Sequence, residues 1–307
     1  MPNHLKNNPF TVAIFGEVLA DIFPDGTVLG GAPYNVARHI RAFQHKPVLI
    51  SRVGNDALKD KLMLELETLD IDASGIQLDP IFPTGQVLVH MENGAHRFEI
   101  KANQAYDHIH AGMTHLTTLA TKPDLAYFGT LAQRDVESRL ALDTFLSDAK
   151  CPRFLDINLR EPWYDKHMIR RSLLRTEIVK INEDELKIVC DMFDKSLNND
   201  QTRADFLMAK FDLKYLFVTC GDKGAWSLNN KGEKTQVESP PLDAALVDTV
   251  GAGDAFATIC ILGLLYNWPM DEMLVRAGKF ASAICTIRGA APDSPEFYTP
   301  YIESWFS

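Results

Sequence analysis

Residues 248–254 read Asp-Thr-Val-Gly-Ala-Gly-Asp and lead directly into an apolar segment, residues 255–265, that is predicted to be a helix. Small residues at a helix start leave backbone N–H groups uncovered. Those amides and the helix dipole together form a pocket for an anion. The chain carries a net charge of −10, so it needs such a local device to bind an anion. The stretch therefore predicts an anion hole formed by Gly251, Ala252 and Gly253.

Asp254 stands at the rim of this predicted hole. A carboxylate beside an anion hole is unfavourable unless it has a task, such as accepting a proton from a hydroxyl group that attacks bound phosphorus. The alternative is that Asp254 caps the helix, as Asp often does. The stretch alone leaves both interpretations open. Two other phosphate motifs are excluded, because the sequence has no GxxxxGK[ST] loop and Phe256 stands where a dinucleotide fingerprint has its third glycine.

Outward from this helix, short apolar runs alternate with helical patterns. The chain opens on a buried strand at residues 10–16, and a helix over 35–43 follows. Further strands are predicted at 47–53, 125–130, 153–157 and 177–181, and helices at 58–69, 136–149 and 166–174. This alternation predicts an α/β fold with a mostly parallel sheet sandwiched by helices. Active sites of such sheets lie at the carboxyl ends of the strands.

One segment breaks the alternation. Residues 84–92 and 96–101 alternate apolar and polar residues around 92–95, which is typical of a β-hairpin. Residues 18–29 could supply partner strands for a small sheet that covers the site. We therefore predict a single domain over 1–307 with a β-sheet lid at about 18–29 and 84–101.

Composition excludes several classes of protein. The 31 Lys and Arg residues are scattered and are outnumbered by 41 Asp and Glu, which argues against nucleic-acid binding. The five cysteines are odd in number and well separated, as expected in a reducing cytoplasm. The start of the chain is polar, and the longest apolar run, 255–266, is shorter than the roughly 20 residues that cross a bilayer. We expect a cytoplasmic protein without membrane contact, and we interpret His108, His110 and His115 as surface residues.

The motifs resemble those of the PfkB, or ribokinase-like, carbohydrate kinases, whose signature is D-T-x-G-A-G-D. The resemblance covers nearly the whole chain, from Gly16 to Pro295. It implies a ribokinase-like fold, ATP-dependent phosphorylation of a sugar hydroxymethyl group, and Mg²⁺ as cofactor. In this family the aspartate that corresponds to Asp254 is the catalytic base, and Gly251, Ala252 and Gly253 hold the transferred phosphoryl group.

Near the N-terminus, residues 16–24 and 30–37 are similar to the family motifs G-E-x-L-x-D-x-x-P and G-G-A-P-x-N-V-A. The resemblance implies that Asp21 and Asn35 hydrogen-bond sugar hydroxyls, and that Gly30 and Gly31 let the backbone approach the ring. The alternative is a loop aspartate followed by an ordinary turn. The second motif favours a fructokinase, most like the bacterial ones.

Two further motifs follow central strands. Residues 156–160 resemble the family's D-x-N-x-R segment, in which Arg160 would bind phosphate or sugar oxygens; the alternative is a surface ion pair with Glu161 or Asp165. Asn182 and Glu185 match N-x-x-E, which in the family orders Mg²⁺ and its waters. Their alternative is a helix N-terminus rich in acids.

The remaining motifs concern the nucleotide and a second ion. Residues 219–224 resemble the family's T-x-G-x-x-G loop, in which Thr219, Gly221 and Gly224 would lie along the nucleotide. Residues 288–292 resemble the stretch that, with Asp248, holds a monovalent cation in many relatives, which makes K⁺ activation a hypothesis.

Two positions depart from the family pattern. Lys59 stands where a glycine is usual, and Tyr34 where fructokinases commonly carry a small residue. Substrate identity is therefore open: D-fructose is favoured, and ribose, 2-keto-3-deoxygluconate or a nucleoside is the alternative. A sugar-binding relative that has lost phosphoryl transfer is the alternative of another class. The resemblance also implies a homodimer formed through the lid.

Overall fold

The computed structural model describes residues 9–24, 26–92, 95–240 and 245–306, and only the backbone of residues 91, 92 and 95–97. In chain order the strands and helices are β1 (Thr11–Phe15), β2 (Leu19–Phe23), β3 (Gly26–Gly30), α1 (Ala32–Ala42), β4 (Lys46–Gly54), α2 (Ala57–Thr68), β5 (Ile76–Asp79), β6 (Gly85–Glu92), β7 (Ala95–Ile100), α3 (Ala111–Thr121), β8 (Leu125–Phe128), α4 (Val136–Asp148), β9 (Arg153–Asp156), α5 (Lys166–Leu173), β10 (Ile178–Asn182), α6 (Glu183–Phe193), α7 (Asp200–Phe211), β11 (Tyr215–Thr219), β12 (Ala225–Asn229), β13 (Lys234–Val237), α8 (Ala252–Tyr266), α9 (Met270–Ile284) and α10 (Thr299–Trp305).

The chain divides into two compact units. Unit 1 comprises Met1–Pro123, Ala132–Lys150 and Pro295–Ser307, and unit 2 comprises Asp124–Leu131 and Cys151–Ser294. The organisation as a single domain with a lid stays a prediction.

Unit 2 contains most of the parallel strands. Strands β8, β9, β10 and β11 run parallel in that order, and β12 and β13 continue the sheet antiparallel. These strands are near-continuous apolar runs because helices cover them. The ring of Phe154 on β9 stacks on Tyr127 of neighbouring β8 and, past β10, on Phe217 of β11, with centroids 6.0 and 6.3 Å apart. The carboxyl ends of β9, β10 and β11 are Asp156, Asn182 and Thr219, so these predicted motifs meet at one edge of the sheet.

Unit 1 contains a second set of parallel strands. Strand β4 pairs in parallel with β1 on one side and with β5 on the other. Helices α1 and α3 both pack against β1 and β4. The C-terminal helix α10 belongs to this unit, where the hydroxyl of Tyr298 lies 2.9 Å from the Nδ1 atom of buried His39. The predicted α/β class with a mostly parallel sheet is confirmed.

The predicted small sheet is present in unit 1, with strand order β3-β2-β6-β7. Strands β2 and β3 are antiparallel, as are β6 and β7, while β2 and β6 are parallel. The strands coincide with the segments predicted from the alternating pattern. The turn residues Asp25, Asn93 and Gly94 lie outside the described residues.

Hydrogen bonds and an ion pair anchor the root of the small sheet. Thr84, which precedes β6, donates from its amide and its hydroxyl to the carboxylate of Asp56, at 2.8 Å each. Beyond β7, Arg134 donates to both carboxylate oxygens of Asp107, at 2.6 and 2.8 Å. Both of these side chains are almost fully buried. Both connections of the β6–β7 hairpin are therefore fixed to the rest of unit 1.

Most predicted boundaries agree with the observed ones to within two residues. The helix predicted at 255–265 begins earlier, at Ala252, and the one at 35–43 begins at Ala32. The elements that were not predicted are strands β5, β12 and β13 and helices α3, α7, α9 and α10. Within the described residues, no helix combines the length and the apolar character that crossing a membrane requires.

Candidate active site

The predicted anion hole is the first turn of α8, in unit 2. Gly251 is the N-cap residue with φ 80°, and Asp254 is the third helical residue rather than the cap. The amide of Ala252 makes a long turn bond of 3.3 Å to the carbonyl of Thr249. Within the described part of the chain, the amide of Gly253 has no protein acceptor. The turn therefore offers at least one uncovered N–H to an anion.

Gly251 is required by its surroundings as well as by its backbone angles. A Cβ atom there would stand 2.4 Å from the Cα of Ala290. The loop that carries Ala290 is in turn held by Asp248, whose carboxylate accepts hydrogen bonds from the amides of Val250 at 3.0 Å and Gly289 at 3.3 Å. The anion hole is thus backed by the 288–292 stretch that the sequence associated with a monovalent cation. A role of Asp248 in holding K⁺ stays a prediction.

Asp254 is buried, with 8% of its surface exposed, and lies in a cluster of charged side chains. Asp156, at the end of β9, is fully buried, and burial raises its pKa to about 7. Lys180 of β10 opposes this rise, while the charges of Asp254 and Glu185 add to it. Burial would lower the pKa of Lys180, but the carboxylates of Asp156, Glu185 and Asp254 outweigh burial and raise it. The predicted base thus shares its surroundings with a lysine–aspartate ion pair.

The nucleotide loop lies beside the anion hole. Residues Gly221–Lys223 form a single turn closed by the bond from the amide of Cys220 to the carbonyl of Gly224, 2.8 Å. Gly224 has φ 96°, and a Cβ atom there would stand 2.2 Å from the carbonyl oxygen of Val237. This glycine therefore lets β13 approach the loop.

One cavity of about 540 Å³ in unit 2 joins these two features. It is lined by Thr219, Gly221 and Gly224 of the loop and by Ala252 and Gly253 of the anion hole. Its far wall comes from α9 and the segment before α8: Gly278, Ala281, Ser282, Cys285, Leu246 and Thr249. A larger cavity, about 690 Å³, lies in unit 1, but none of the predicted site residues lines it. Because the smaller cavity contains the motif residues, it is the candidate nucleotide site.

Asn182 and Glu185 form a capping box at the start of α6. The backbone N–H of Glu185 donates to Asn182 Oδ1 at 2.8 Å, and the backbone N–H of Asn182 donates to Glu185 Oε2 at 3.0 Å. Glu185 Oε1 accepts from the amide of Leu159 at 2.7 Å. Each carboxylate oxygen can accept a further hydrogen bond. Glu185 therefore keeps free acceptor sites with which it could bind the water shell of Mg²⁺.

Arg160 is exposed, and its guanidinium donates to the carbonyl of Leu159 at 3.1 Å. Within the described residues Arg160 forms no ion pair with Glu161 or Asp165; Glu161 accepts from the hydroxyl of Tyr164, and Asp165 caps α5. Arg160 is thus placed near the α6 start through Leu159, and its role stays a prediction.

The predicted sugar-binding residues lie together in unit 1. A Cβ atom on Gly30 would stand 3.2 Å from the carboxylate oxygen Oδ2 of Asp21. Gly31, with φ 105°, caps α1, and a Cβ there would stand 2.8 Å from the carbonyl oxygen of Glu17. Asn35 is buried in the first turn of α1, where its backbone N–H donates to the carbonyl of Gly31. The motif glycines are therefore needed for close approach.

The two departures from the family pattern have local explanations. Lys59 lies in the first turn of α2, and its amide donates to Asp56, the N-cap residue, at 3.0 Å. An ordinary helical turn has no need of glycine. The side chain of Tyr34 is fully buried, and the guanidinium of Arg38 lies 5.8 Å from its ring centroid. Tyr34 thus belongs to the packed interior of unit 1.

The sequence patterns did not identify Lys180 and Asp156 as site residues. Lys180 stands in the apolar run Ile178–Asn182, and Asp156 directly opposite it on β9. A lysine in a buried strand is rare unless it is paired, which is the signal that could have identified it. Its partner, however, depends on the strand register.

The prediction of surface histidines is correct for His110 and His115, which are exposed, and wrong for His108, whose side chain is only 15% exposed. His108 stacks on Phe82 with centroids 3.8 Å apart, His110 caps α3, and His115 pairs with Asp148 at 2.8 Å. The residues that the structure describes contain no group of three or more His, Cys, Asp or Glu side chains arranged to hold a metal ion.

The fold, together with an open helix N-terminus beside a buried carboxylate, is that of an enzyme of phosphoryl transfer. The family model described as pfkB family carbohydrate kinase matches residues 11–296, and the chain therefore belongs to this family. It is a carbohydrate kinase with a ribokinase-like fold.

Individual relatives agree with this assignment. The chain is similar to fructokinase-2 of Oryza sativa subsp. japonica, with 28% identity over 94% of this chain and 91% of the relative. It is similar to a fructokinase of Escherichia coli, with 26% identity over 82% of this chain and 84% of the relative. The crystal structure of a Vibrio cholerae fructokinase, bound to fructose, ADP and a calcium ion, superposes with a TM-score of 0.76 at 22% identity, covering 94% of this chain and 98% of that one. At that identity the structural likeness concerns the fold.

Proposed function

We propose that this chain transfers the γ-phosphoryl group of ATP to the hydroxymethyl group of a sugar, and that D-fructose is converted to fructose 6-phosphate. The observation that supports ATP as donor is the cavity that joins the nucleotide loop at Thr219 and Gly221 to the uncovered amide of Gly253. A nucleotide whose base and ribose lie along the loop would extend its phosphates towards the helix N-terminus. The positive end of the helix dipole and the free N–H groups favour phosphate binding at the N-terminus of α8.

In the proposed reaction Asp254 is the general base. As the sugar oxygen attacks the γ-phosphorus, its proton passes to the carboxylate of Asp254, the new P–O bond forms, and the bond to the β-phosphate oxygen breaks to release ADP. The amide of Gly253 would donate to the equatorial oxygens, on which charge develops. Asp254 suits this role because it is buried next to the amides that would hold the phosphate.

The divalent ion would have an indirect link to the protein. Mg²⁺ bound to the phosphates supplies positive charge that offsets the negative charge of the transferred group. Glu185, whose oxygens already accept from two backbone amides, would bind its water shell. The E. coli and rice relatives carry the name fructokinase, and the Gly30-Gly31-Ala32-Pro33 start of α1 agrees with that substrate.

A panel of sugars in a coupled ADP-release assay tests the proposal. We expect fructose to give the highest kcat/KM, ahead of ribose, 2-keto-3-deoxygluconate and nucleosides. A higher kcat/KM for another sugar would contradict fructose as the substrate, but the assignment as a sugar kinase would stand. If calorimetry showed that a sugar binds, but no ADP were released when ATP was added with that sugar, the proposal of phosphoryl transfer would be overturned. The chain would then be a sugar-binding protein. Replacing K⁺ by Na⁺ in the same assay tests the role proposed for Asp248.

We also propose that two copies pair through the small sheet, whose strands carry the exposed side chains Val28 and Phe98. Light scattering of the wild type and of a Val28→Lys/Phe98→Lys variant tests this pairing. We expect a dimeric mass for the wild type and a monomeric mass for the variant. A monomeric wild type at micromolar concentration would contradict it.

A further inference from the structure

Lys180 places an ammonium group against the anion hole. Its Nζ atom lies 3.0 Å from the position that a Cβ atom on Gly253 would occupy. Gly253 is the second residue of α8, and among the described residues its backbone N–H has no protein acceptor. The absence of a side chain at this position therefore makes room for a positive charge in addition to exposing the amide.

A carboxylate behind it holds the ammonium in place. Lys180 Nζ lies 3.0 Å from Oδ1 and 3.1 Å from Oδ2 of Asp156. The two residues are register partners on β10 and β9, and their side chains are 8% and 1% exposed. An ammonium group has three N–H donors. Among the described residues only Asp156 accepts hydrogen bonds from it, so one donor remains unused.

The stability of the fold does not explain why a lysine–aspartate pair is buried here. Buried ion pairs contribute little to stability compared with neutral residues of the same volume, because removing both charges from water is costly. Perturbed, buried charges are concentrated at functional sites. Here the pair lies beside two further carboxylates, Asp254 and Glu185, whose charges act on both members. Without Lys180, the charged side chains that act on one another here would be the three carboxylates of Asp156, Asp254 and Glu185.

We propose that Lys180, oriented by Asp156, supplies the fixed positive charge of the anion hole and thereby binds the terminal phosphate and stabilises the charge that develops on it. This role rests on the proposed phosphoryl transfer. Lys180 would contact the phosphoryl group directly and neither give nor take a proton in the reaction, and Asp156 is the positioning residue that orients it. The interaction grows with the number of phosphates, because only the terminal groups reach the helix N-terminus.

The test compares nucleotides of increasing phosphate number. Calorimetry with AMP, ADP and the non-hydrolysable analogue AMP-PNP, each with Mg²⁺, measures how much affinity each phosphate adds. Three variants separate charge from structure: Lys180→Met, Asp156→Asn, which keeps the ammonium, and the double variant Asp156→Asn/Lys180→Met, which is neutral and has nearly the same volume. Because the double variant leaves no unpaired buried charge, we expect it to fold. Lys180→Arg restores the charge with a different shape.

In the double variant we expect the affinity for AMP to change less than about threefold and that for AMP-PNP to fall roughly tenfold or more, with kcat reduced by roughly 10², as for loss of one anion-hole donor. Asp156→Asn and Lys180→Arg should each retain more of the discrimination between AMP and AMP-PNP than Lys180→Met. The control Lys187→Met/Asp191→Asn removes an exposed lysine–aspartate pair of the same unit and should change no affinity.

Two results would overturn the role of Lys180. In the first, the double variant discriminates between AMP, ADP and AMP-PNP as the wild type does. In the second, it loses the same factor of affinity for all three nucleotides, as expected if the ion pair has a structural role only. These measurements need no sugar. A wild type that binds nucleotides in the expected order and phosphorylates no sugar would refute the proposed function while leaving the role of Lys180 intact.

Discussion

Gly251 and Ala290 meet backbone to backbone, so closely that a Cβ atom on Gly251 would stand 2.4 Å from the Cα of Ala290. We expect Gly251→Ala to destabilise the protein, because a left-handed alanine costs about 1–2 kcal/mol and forced overpacking about 1–3 kcal/mol more. Urea denaturation measures the loss. Gly289→Ala is the matched control: its φ is 84°, and no atom lies within 4 Å of the added Cβ. Equal losses in the two variants would contradict the importance of the contact.

Asp254→Asn removes the proposed base and keeps its shape. We expect kcat to fall by roughly 10² to 10⁴, with nucleotide affinity retained, because general-base catalysis contributes at about this level. Steady-state kinetics with the best sugar measures the change, and thermal denaturation verifies the fold. The control is Asp271→Asn, an exposed acid in the first turn of α9. Turnover of the Asp254 variant at the wild-type rate would remove Asp254 from the chemistry.

Gly30→Ala tests the sugar subsite in unit 1. The added Cβ would meet the Asp21 carboxylate at 3.2 Å and displace it. Because losing one hydrogen bond costs about 1 kcal/mol, we expect the KM for the sugar to rise roughly fivefold, with the KM for ATP unchanged. Gly26→Ala is the control on the same strand, since its Cβ would meet nothing within 4 Å. An unchanged KM for every sugar would argue that Asp21 binds none of them.

Ser282→Phe tests the nucleotide cavity. Ser282 lines the cavity from α9, and a phenyl ring there would occupy space that the nucleotide needs. We expect the KM for ATP to rise by roughly tenfold or more, while calorimetry gives the wild-type affinity for the sugar. The control Val275→Phe places the same ring at a half-exposed position of the same helix. If both variants kept the wild-type KM for ATP, the nucleotide would have to bind elsewhere.

Asp56 makes the root of the small sheet sensitive to acid. Partial burial pushes the pKa of Asp56 up, but hydrogen bonds from Thr84 and the α2 amides outweigh it and lower the pKa. A carboxylate with a lowered folded pKa contributes stability that is present above its unfolded pKa of about 3.9 and is lost as the pH falls through the folded value. Asp56→Asn should therefore cost about 1 kcal/mol at pH 7, as for an impaired helix cap.

The difference between wild type and Asp56→Asn should shrink as the pH is lowered below about 4, because the wild-type carboxyl then becomes neutral too. Urea denaturation from pH 7 to pH 2.5 measures it. Asp60→Asn, an exposed change in the first turn of the same helix, should leave the pH profile unaltered. A constant difference between wild type and Asp56→Asn across the range would contradict a lowered pKa.

The strands and helices of the main sheets were predictable because buried parallel strands are near-continuous apolar runs. Helix α3 was missed because residues 111–121 contain four threonines and a glycine, which are weak helix formers, and its stability comes from packing against α4. The helix start at Gly251 and the turn at Gly221–Lys223 were predictable as local structure because the spacing of their glycines indicates tight turns, and their roles in binding phosphate and nucleotide stay predictions. The proximity of Lys180 to Asp156 was not predictable, because it depends on which strand lies beside β10 and in which register.

The anchors of the small sheet at Thr84 and Arg134 have a practical consequence for protein engineering. Both lie outside residues 86–100, so a homologous hairpin can be grafted into that interval without disturbing either attachment. Gly85 has to stay, because a Cβ there would stand 2.8 Å from the ring of Tyr106. We expect such chimeras to exchange whatever this hairpin contributes to sugar preference while the scaffold keeps its original melting behaviour.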